Sequence, residues 1–462
     1  MIRRTLRLLL VLLVGALALV AVATTKKSAA SSHGTKNAAS KRTRKKIRAT
    51  AHARRVPKPP PVGPKVRAEA AAAVAAGLSE PLECSLHNPA ALIPFYEMLY
   101  REQQGLSEPI HILHYGDSHT AADDWTGTLR ALLQEKFGDG GPGFSLPGRP
   151  FPGFRRLDLK SGESRRWVSD GLVGHKSDGF NGLGGVSIST DHAGETVYLE
   201  ADCRLLELYY LQQPGGGTLE LSENGTPLAT IPTDGETAPG YLKAEVAEGR
   251  HRFELRTLNR GPVRLFGWVA EKEKGVTYES MGINGAQASI ILHWDEALLA
   301  AHVARRSPAL IILAYGTNEA SNREWNYESY YKMYCEVIQR FRAAAPAATI
   351  LVVGPPERWH RTRGKWTSFA STDWIVDAQR DAALANGCAF WDMRAKMGGK
   401  GSMLKWVLAG LAQYDHVHLT TAGYRRLGDT MFRDLMENYG TFVQVRAQAA
   451  PQENHGEKSQ DR

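Results

Sequence analysis

Along this chain the apolar positions change period several times, and each change marks a different kind of element. Ile110-His-Ile-Leu-His-Tyr115 is a near-continuous apolar run that stops at Gly116-Asp117-Ser118, as a buried strand ending in a sharp turn would. After Ala121 the period becomes helical, with Trp125, Leu129, Leu132, Leu133 and Phe137 three and four residues apart, so a helix is expected from Ser118 to Phe137. It ends in the breaker Gly138-Asp-Gly-Gly-Pro-Gly143. From about Ser145 to Lys274 the runs are short and alternating, such as Val197-Tyr-Leu-Glu-Ala201 and Val263-Arg-Leu-Phe-Gly-Trp-Val269, with Gly, Pro, Asn and Asp between them. That texture predicts an antiparallel β sandwich inserted into another fold.

Buried strands and amphipathic helices then alternate again. Strands are predicted at 276–280, 310–315, 349–354 and 389–392, and helices near 288–305, 327–345, 372–386 and 422–439. Helices at 68–78 and 91–102 precede the first strand. Apolar strands joined by helices imply a mostly parallel sheet covered on both faces, a three-layer α/β/α body. In such sheets the site lies at the strand C-termini, where Ser118, Gly285 and Asn318 fall.

The charge is unevenly distributed. The first 67 residues hold 17 of the 57 Lys and Arg and no acid, so the remaining 40 face 48 Asp and Glu, and residues 68–462 carry about −8. A mildly acidic body asks for no nucleic acid. Residues 1–25, with a basic start, an apolar run from Leu8 to Ala23 and small residues before Thr24, read as an export signal or a membrane anchor. Residues 26–67 lack the apolar content to fold and are expected to be a basic, Pro-rich disordered linker, and residues 443–462 a disordered tail. The expected divisions are therefore 68–144 and 276–442 for the α/β body and 145–275 for the inserted β domain. Cys84, Cys203, Cys335 and Cys388 show no metal-ligand spacing, so neither metal nor cofactor is expected, and spacing alone pairs none of them.

A serine at a strand end needs a base, a group to orient the base, and donors for an oxyanion. Asp415-His-Val-His418 supplies the first two in one loop. Asp415 lies three residues before His418, a comfortable distance for a return hydrogen bond, and only one before His416, the competing base. Tyr315-Gly-Thr-Asn318 follows a buried strand and offers a carboxamide donor.

In order, Gly116-Asp-Ser118, the glycine of Asn284-Gly285, Gly316-Thr-Asn318 and Asp415-x-x-His418 resemble the Ser-Gly-Asn-His (SGNH, GDSL-like) hydrolases, over about residues 108–144 and 276–440. The resemblance implies a flavodoxin-like α/β/α fold with Ser118 as nucleophile, His418 as base and Asp415 as its helper. The Ser118 and Gly285 N–H groups and the Asn318 side chain would form the oxyanion hole, with Gly282 the alternative glycine. His119 and Glu319 depart from the commonest family pattern. The Gly-Asp-Ser-His-Thr version, Gly-Ile-Asn-Gly-Ala286 and the β-rich insertion are similar to bacterial peptidoglycan O-acetylesterases, whose insertion resembles a carbohydrate-binding module. This implies an extracytoplasmic, periplasmic or envelope-associated serine esterase acting on an O-acetylated polysaccharide, peptidoglycan first. An O-acetyltransferase with the same triad and a non-catalytic wall-binding protein are the alternatives. Trp167 and Tyr241 are expected in the β core, with stacking on sugar rings the alternative; Trp359 and Trp366 are candidates to line the cleft; and Arg358, Arg361, Arg363 and Lys365 are expected in a solvated charged loop, with pairing to glycan carboxylates the alternative.

Overall fold

Five apolar strands form the parallel centre of the protein, a computed structural model of which describes residues 62–79, 81, 85–105 and 108–449. Most of the expected signal, linker and tail, together with Cys84, lie outside these residues, and no helix among the described ones is long and apolar enough to cross a membrane. Across the sheet the order is Leu86–His87, Ala389–Trp391, Thr349–Val353, Leu310–Ala314, Ile110–Gly116 and Val276–Gly282. All are parallel except Leu86–His87, an antiparallel edge. By chain order the parallel strands run 2-1-3-4-5, the flavodoxin-like doubly wound arrangement, whose order reverses between Ile110–Gly116 and Leu310–Ala314.

Side chains alternate between the two faces. Leu113, Tyr115, Ile311, Leu313, Ile350 and Val352 enter one core, under the helices Glu296–Arg306, Tyr327–Ala344 and Ser371–Ala385. Ile112, Leu310, Ile312, Leu351 and Val353 enter the other, under Ile93–Gln103, Asp124–Phe137 and Thr421–Ala449. Burial on both faces is why these strands read as continuous apolar runs rather than alternating ones.

The inserted segment forms one hydrogen-bonded antiparallel sheet of nine strands. It leaves and re-enters the body through a paired stem, Gly143–Ser145 against Trp268–Ala270. Its longest strands, Thr196–Gln212 and Ala238–Thr257, pair along their length, with a register shift between Glu245 and Gly249. At that bulge the alternation of Thr196–Gln212 slips by one. Val197, Leu199, Ala201 and Cys203 precede it, Leu206, Leu208 and Tyr210 follow, and all seven share one core. Beyond the bulge the second face is buried too, for Tyr209 and Leu211 join the core of the α/β body. Glu207 there pairs with Arg305, whose guanidinium lies 4.0 Å from the Tyr241 ring centroid. Tyr241 thus packs at the junction with the body and Trp167 against the insert core. Cys203, Cys335 and Cys388 are free thiols.

Several elements differ from expectation. The helix expected near 288–305 is split into a 3-10 segment, Ala288–His293, and a helix, Glu296–Arg306, whose N-terminus Asp295 caps by accepting from Leu298 N. The helix after Ser118 is broken: one turn, Ser118–Ala121, is followed by Asp123 at φ 54° and a new helix, Asp124–Phe137. A buried carboxylate imposes the break, because Asp123 accepts from Arg130 Nη2 at 2.7 Å, Ser280 Oγ at 2.7 Å and Leu157 N at 2.7 Å. The last helix continues to Ala449, past the expected start of the tail at 443, since Phe442 and Val443 pack on the core and Arg446 pairs with Glu97 at 2.8 Å. The first helix begins at Pro64, inside the stretch expected to be linker, with proline where a missing N–H costs nothing. Trp359–Thr362 and Lys365–Ser368 form a hairpin in a stretch read as a loop.

The Asp123–Arg130 pair is wholly buried, so removing the carboxylate leaves the Arg130 charge to the longer, 3.3 Å pair with Asp158. Asp123→Ala is expected to lower stability by about 3–5 kcal/mol in urea unfolding. Burial raises the Asp123 pKa, but the adjacent Arg130 outweighs it and holds the carboxyl at about 2. The pair's contribution is therefore present above the ordinary carboxylate value of 3.8 and is lost as pH falls through about 2, a loss Asp123→Ala should abolish.

Candidate active site

Three parallel strand ends stand level in the sheet, Gly116 beside Gly282 on one side and Ala314 on the other. Chain turns there bring the chemistry together. Gly116 must lack a side chain, because a Cβ would lie 2.1 Å from Thr120 Oγ1 and 2.8 Å from the Ala314 carbonyl. Asp117 Oδ1 accepts from His119 N at 2.9 Å and caps the turn that begins with Ser118. This helix is a single turn, so Ser118 lacks the long helix dipole that a continuous helix to Phe137 would have placed behind it.

The Ser118 hydroxyl donates to His418 Nε2 at 2.9 Å, across 300 residues of chain. His418 Nδ1–H donates to Asp415 Oδ2 at 2.8 Å, while Asp415 Oδ1 accepts from Val417 N at 2.9 Å and His418 N at 3.0 Å. The carboxylate thus fixes both the loop and the tautomer that leaves Nε2 free to take a proton. The hydrogen bond to Asp415 raises the His418 pKa above 6.5, against the smaller effect of burial. Burial opposes the Asp415 charge, but the bonds from His418 and Val417 hold that carboxyl below its usual range.

His416 is built for another task. It sits at φ 55°, its ring stacks on Trp366 at 4.1 Å and Trp359 at 5.6 Å, and its carbonyl accepts from Trp359 N at 3.0 Å. The unforeseen hairpin thereby pins the loop carrying His418, and its two tryptophans meet that loop. Behind His418, with ring centroids 5.3 Å apart, lies His119, bonded to the Tyr424 hydroxyl at 2.8 Å. Burial pushes the His119 pKa down to about 4, so a neutral ring abuts the imidazolium that forms on His418.

The two glycine candidates separate by geometry. A Cβ on Gly282 would lie 2.1 Å from Ala121 N, so that glycine lets the Ser118 turn pack on the strand. Gly285 is exposed and takes φ 79°, a conformation favouring glycine. Its loop is tied at both ends, by Ile283 N to Gly116 O at 3.0 Å and by Asn318 Nδ2 to Ala286 O at 2.9 Å. That bond uses one amide hydrogen of Asn318 and leaves the second as a donor.

Sequence reasoning noted Glu319 only as a departure; the structure makes it a clamp. Fully buried, it accepts from Ala288 N at 2.8 Å and Gly316 N at 3.0 Å, locking the Gly285 and Asn318 loops together. Burial raises its pKa to about 7. Arg358 likewise binds inward, to the Thr317 carbonyl and to Ser321 Oγ at 3.3 Å, whereas Arg361, Arg363 and Lys365 are exposed. Among the described residues no group of three or more His, Cys, Asp or Glu is arranged to hold a metal. The arrangement suits attack by an activated hydroxyl on an acyl carbon.

The GDSL-like lipase/acylhydrolase family matches residues 240–426. A solved structure described as a peptidoglycan O-acetylesterase in action is similar over 77% of this chain and 99% of its own, with 28% identity and a TM-score of 0.66. A family two carbohydrate esterase from Clostridium thermocellum, solved with cellohexaose, covers 56% of this chain and 95% of its own at 13% identity and TM-score 0.27. One from Cellvibrio japonicus covers 62% and 99% at 11% identity and TM-score 0.26. No curated protein matches.

A histidine that must be neutral to accept a proton gives a rate that climbs as pH rises through its pKa. The acid limb of ester hydrolysis is expected above pH 6.5, because Asp415 raises the His418 pKa. In Asp415→Asn the limb should move down and the plateau rate fall by up to about 10⁴-fold, both read from a pH series of kcat/KM.

Proposed function

We propose that this chain, an SGNH hydrolase resembling peptidoglycan O-acetylesterases, is an esterase that removes acetyl groups from the O-acetylated peptidoglycan of the cell envelope. One observation carries the mechanism: the Ser118 hydroxyl lies 2.9 Å from an imidazole whose other nitrogen is held at 2.8 Å by Asp415. In the first step Ser118 Oγ bonds to the acetyl carbon as its proton passes to His418 Nε2. The carbonyl oxygen becomes an oxyanion, met by the N–H groups of Ser118 and Gly285 and the free amide hydrogen of Asn318. When the bond to the sugar oxygen breaks, His418 returns the proton to that oxygen, leaving a free hydroxyl on the glycan and acetyl-Ser118. Water then attacks the acyl carbon as His418 takes its proton, and acetate leaves as Ser118 recovers a hydrogen.

The substrate assignment draws its support from the likeness to a peptidoglycan O-acetylesterase structure. The export pattern of residues 1–25 supports action outside the cytoplasm, periplasmic or membrane-attached.

Acetate release from O-acetylated peptidoglycan is the direct test. Ser118→Ala and His418→Ala are each expected to lose at least about 10³-fold in kcat, and Asn318→Ala about 10²–10³-fold. Equal rates in all variants would remove the esterase reading. Acetyl appearing on an added glycan acceptor in place of free acetate would turn it into a transferase.

A further inference from the structure

Beside Gly285 the inserted sheet and the α/β body enclose an open cleft of about 440 Å³. One wall is the insert loop from Gly171 to Ser177 with Asn181; the other runs from Gly285 through Gln287 and Ser289 to Trp294. The two walls meet at the candidate oxyanion glycine, where Val173 Cγ1 is the nearest atom, 3.9 Å from a Cβ built on Gly285. We propose that this cleft is a glycan subsite, holding an uncharged sugar of the polymer next to the acetylated one, so that the insert loop selects the substrate directly. The proposal rests on the esterase reading of Ser118.

The lining decides the ligand class. No Asp, Glu, Lys or Arg contributes to it, so apart from the rings of His175 and His293 an anionic peptide stem or a carboxylate would find no counter-charge there. What it offers instead is an apolar floor with neutral hydrogen-bonding groups, the mixture a sugar ring presents in return. Leu172, Val173, Ile290 and Trp294 supply the apolar part. Gln287 is pre-oriented, because its carboxamide oxygen accepts from Trp325 Nε1 at 2.8 Å and Asn322 Nδ2 at 3.2 Å, leaving the NH2 as donor for a ligand. Trp294 is buried, and its indole N–H has no partner within the protein. The size falls within the range of pockets that take small ligands, about 300–1,000 Å³. Binding energy gained there, one sugar away from the reacting carbon, would orient the ester over Ser118.

The experiment uses the full chain. The β-1,4-linked tetramer of N-acetylglucosamine is titrated into Ser118→Ala by calorimetry, with a stem tetrapeptide in a parallel titration. Ser289→Trp in the same background is expected to weaken tetramer binding about tenfold or more. Val173→Trp, at an exposed position, serves as the second filling variant, and thermal unfolding confirms that both fold. In the active enzyme, the ratio of kcat/KM on O-acetylated glycan to kcat/KM on p-nitrophenyl acetate should fall about tenfold in either variant. An unchanged ratio with unchanged tetramer affinity overturns the subsite, as does binding of the tetrapeptide alone. Tetramer binding that is lost in the variants, in a protein whose wild type releases no acetate from glycan, sinks the esterase reading and keeps the cleft.

Discussion

The hydrogen bond from Ser118 to His418 is possible only because the parallel sheet ends its strands in register. Gly116, Gly282 and Ala314 stand side by side, so turns that follow separate strands emerge at one edge. The order of strands reverses between the first and third, and the loops there diverge to open a crevice. Every donor in the site depends on that alignment. The Gly285 loop is held by Ile283 N donating to Gly116 O and by Asn318 donating to Ala286 O, and both loops by the buried Glu319 carboxylate. Flexible chains would spend ordering entropy to bring such groups together at each turnover; the sheet has done so at folding.

The inserted sheet is more than an appendage. Up to its bulge, Thr196–Gln212 is an ordinary half-buried strand with one apolar face. Beyond it the same strand is buried on both faces, one in its own core and one in the core of the α/β body. Tyr209 and Tyr241 pack edge-on around His302, and Arg305 with Glu207 closes the contact by charge. A rigid seat of this kind keeps the Gly171–Ser177 loop at a defined distance from Gly285.

Much of this was legible in the residues. Buried parallel strands announce themselves as unbroken apolar runs such as Leu310-Ile-Ile-Leu, and strand ends followed by Ser118 and Asn318 mark the crevice. The three-residue spacing from Asp415 to His418 is local geometry, visible before folding. What stayed hidden depends on partners far away in the chain. The break at Asp123 follows from Ser280 and Leu157, the extra helical turns to Ala449 from Glu97, and the hairpin at 359–368 from His416. Local periodicity carries no trace of those contacts. Glu319 was unreadable for a related reason, since its role as clamp exists only when the loops at Ala288 and Gly316 are already adjacent.

The paired stem at Gly143–Ser145 and Trp268–Ala270 has a consequence for how the molecule assembles. Strands Ile110–Gly116 and Val276–Gly282 are neighbours separated by about 160 positions, and closing a floppy loop of that length is entropically unfavourable and slow. A segment that zips its own two ends together shortens the effective tether to residues 117–142, which contain the Asp124–Phe137 helix, and 271–275. The insert therefore acts as a molecular clasp during biogenesis: once it has condensed, the central sheet closes as though the intervening hundred-odd residues were a short turn.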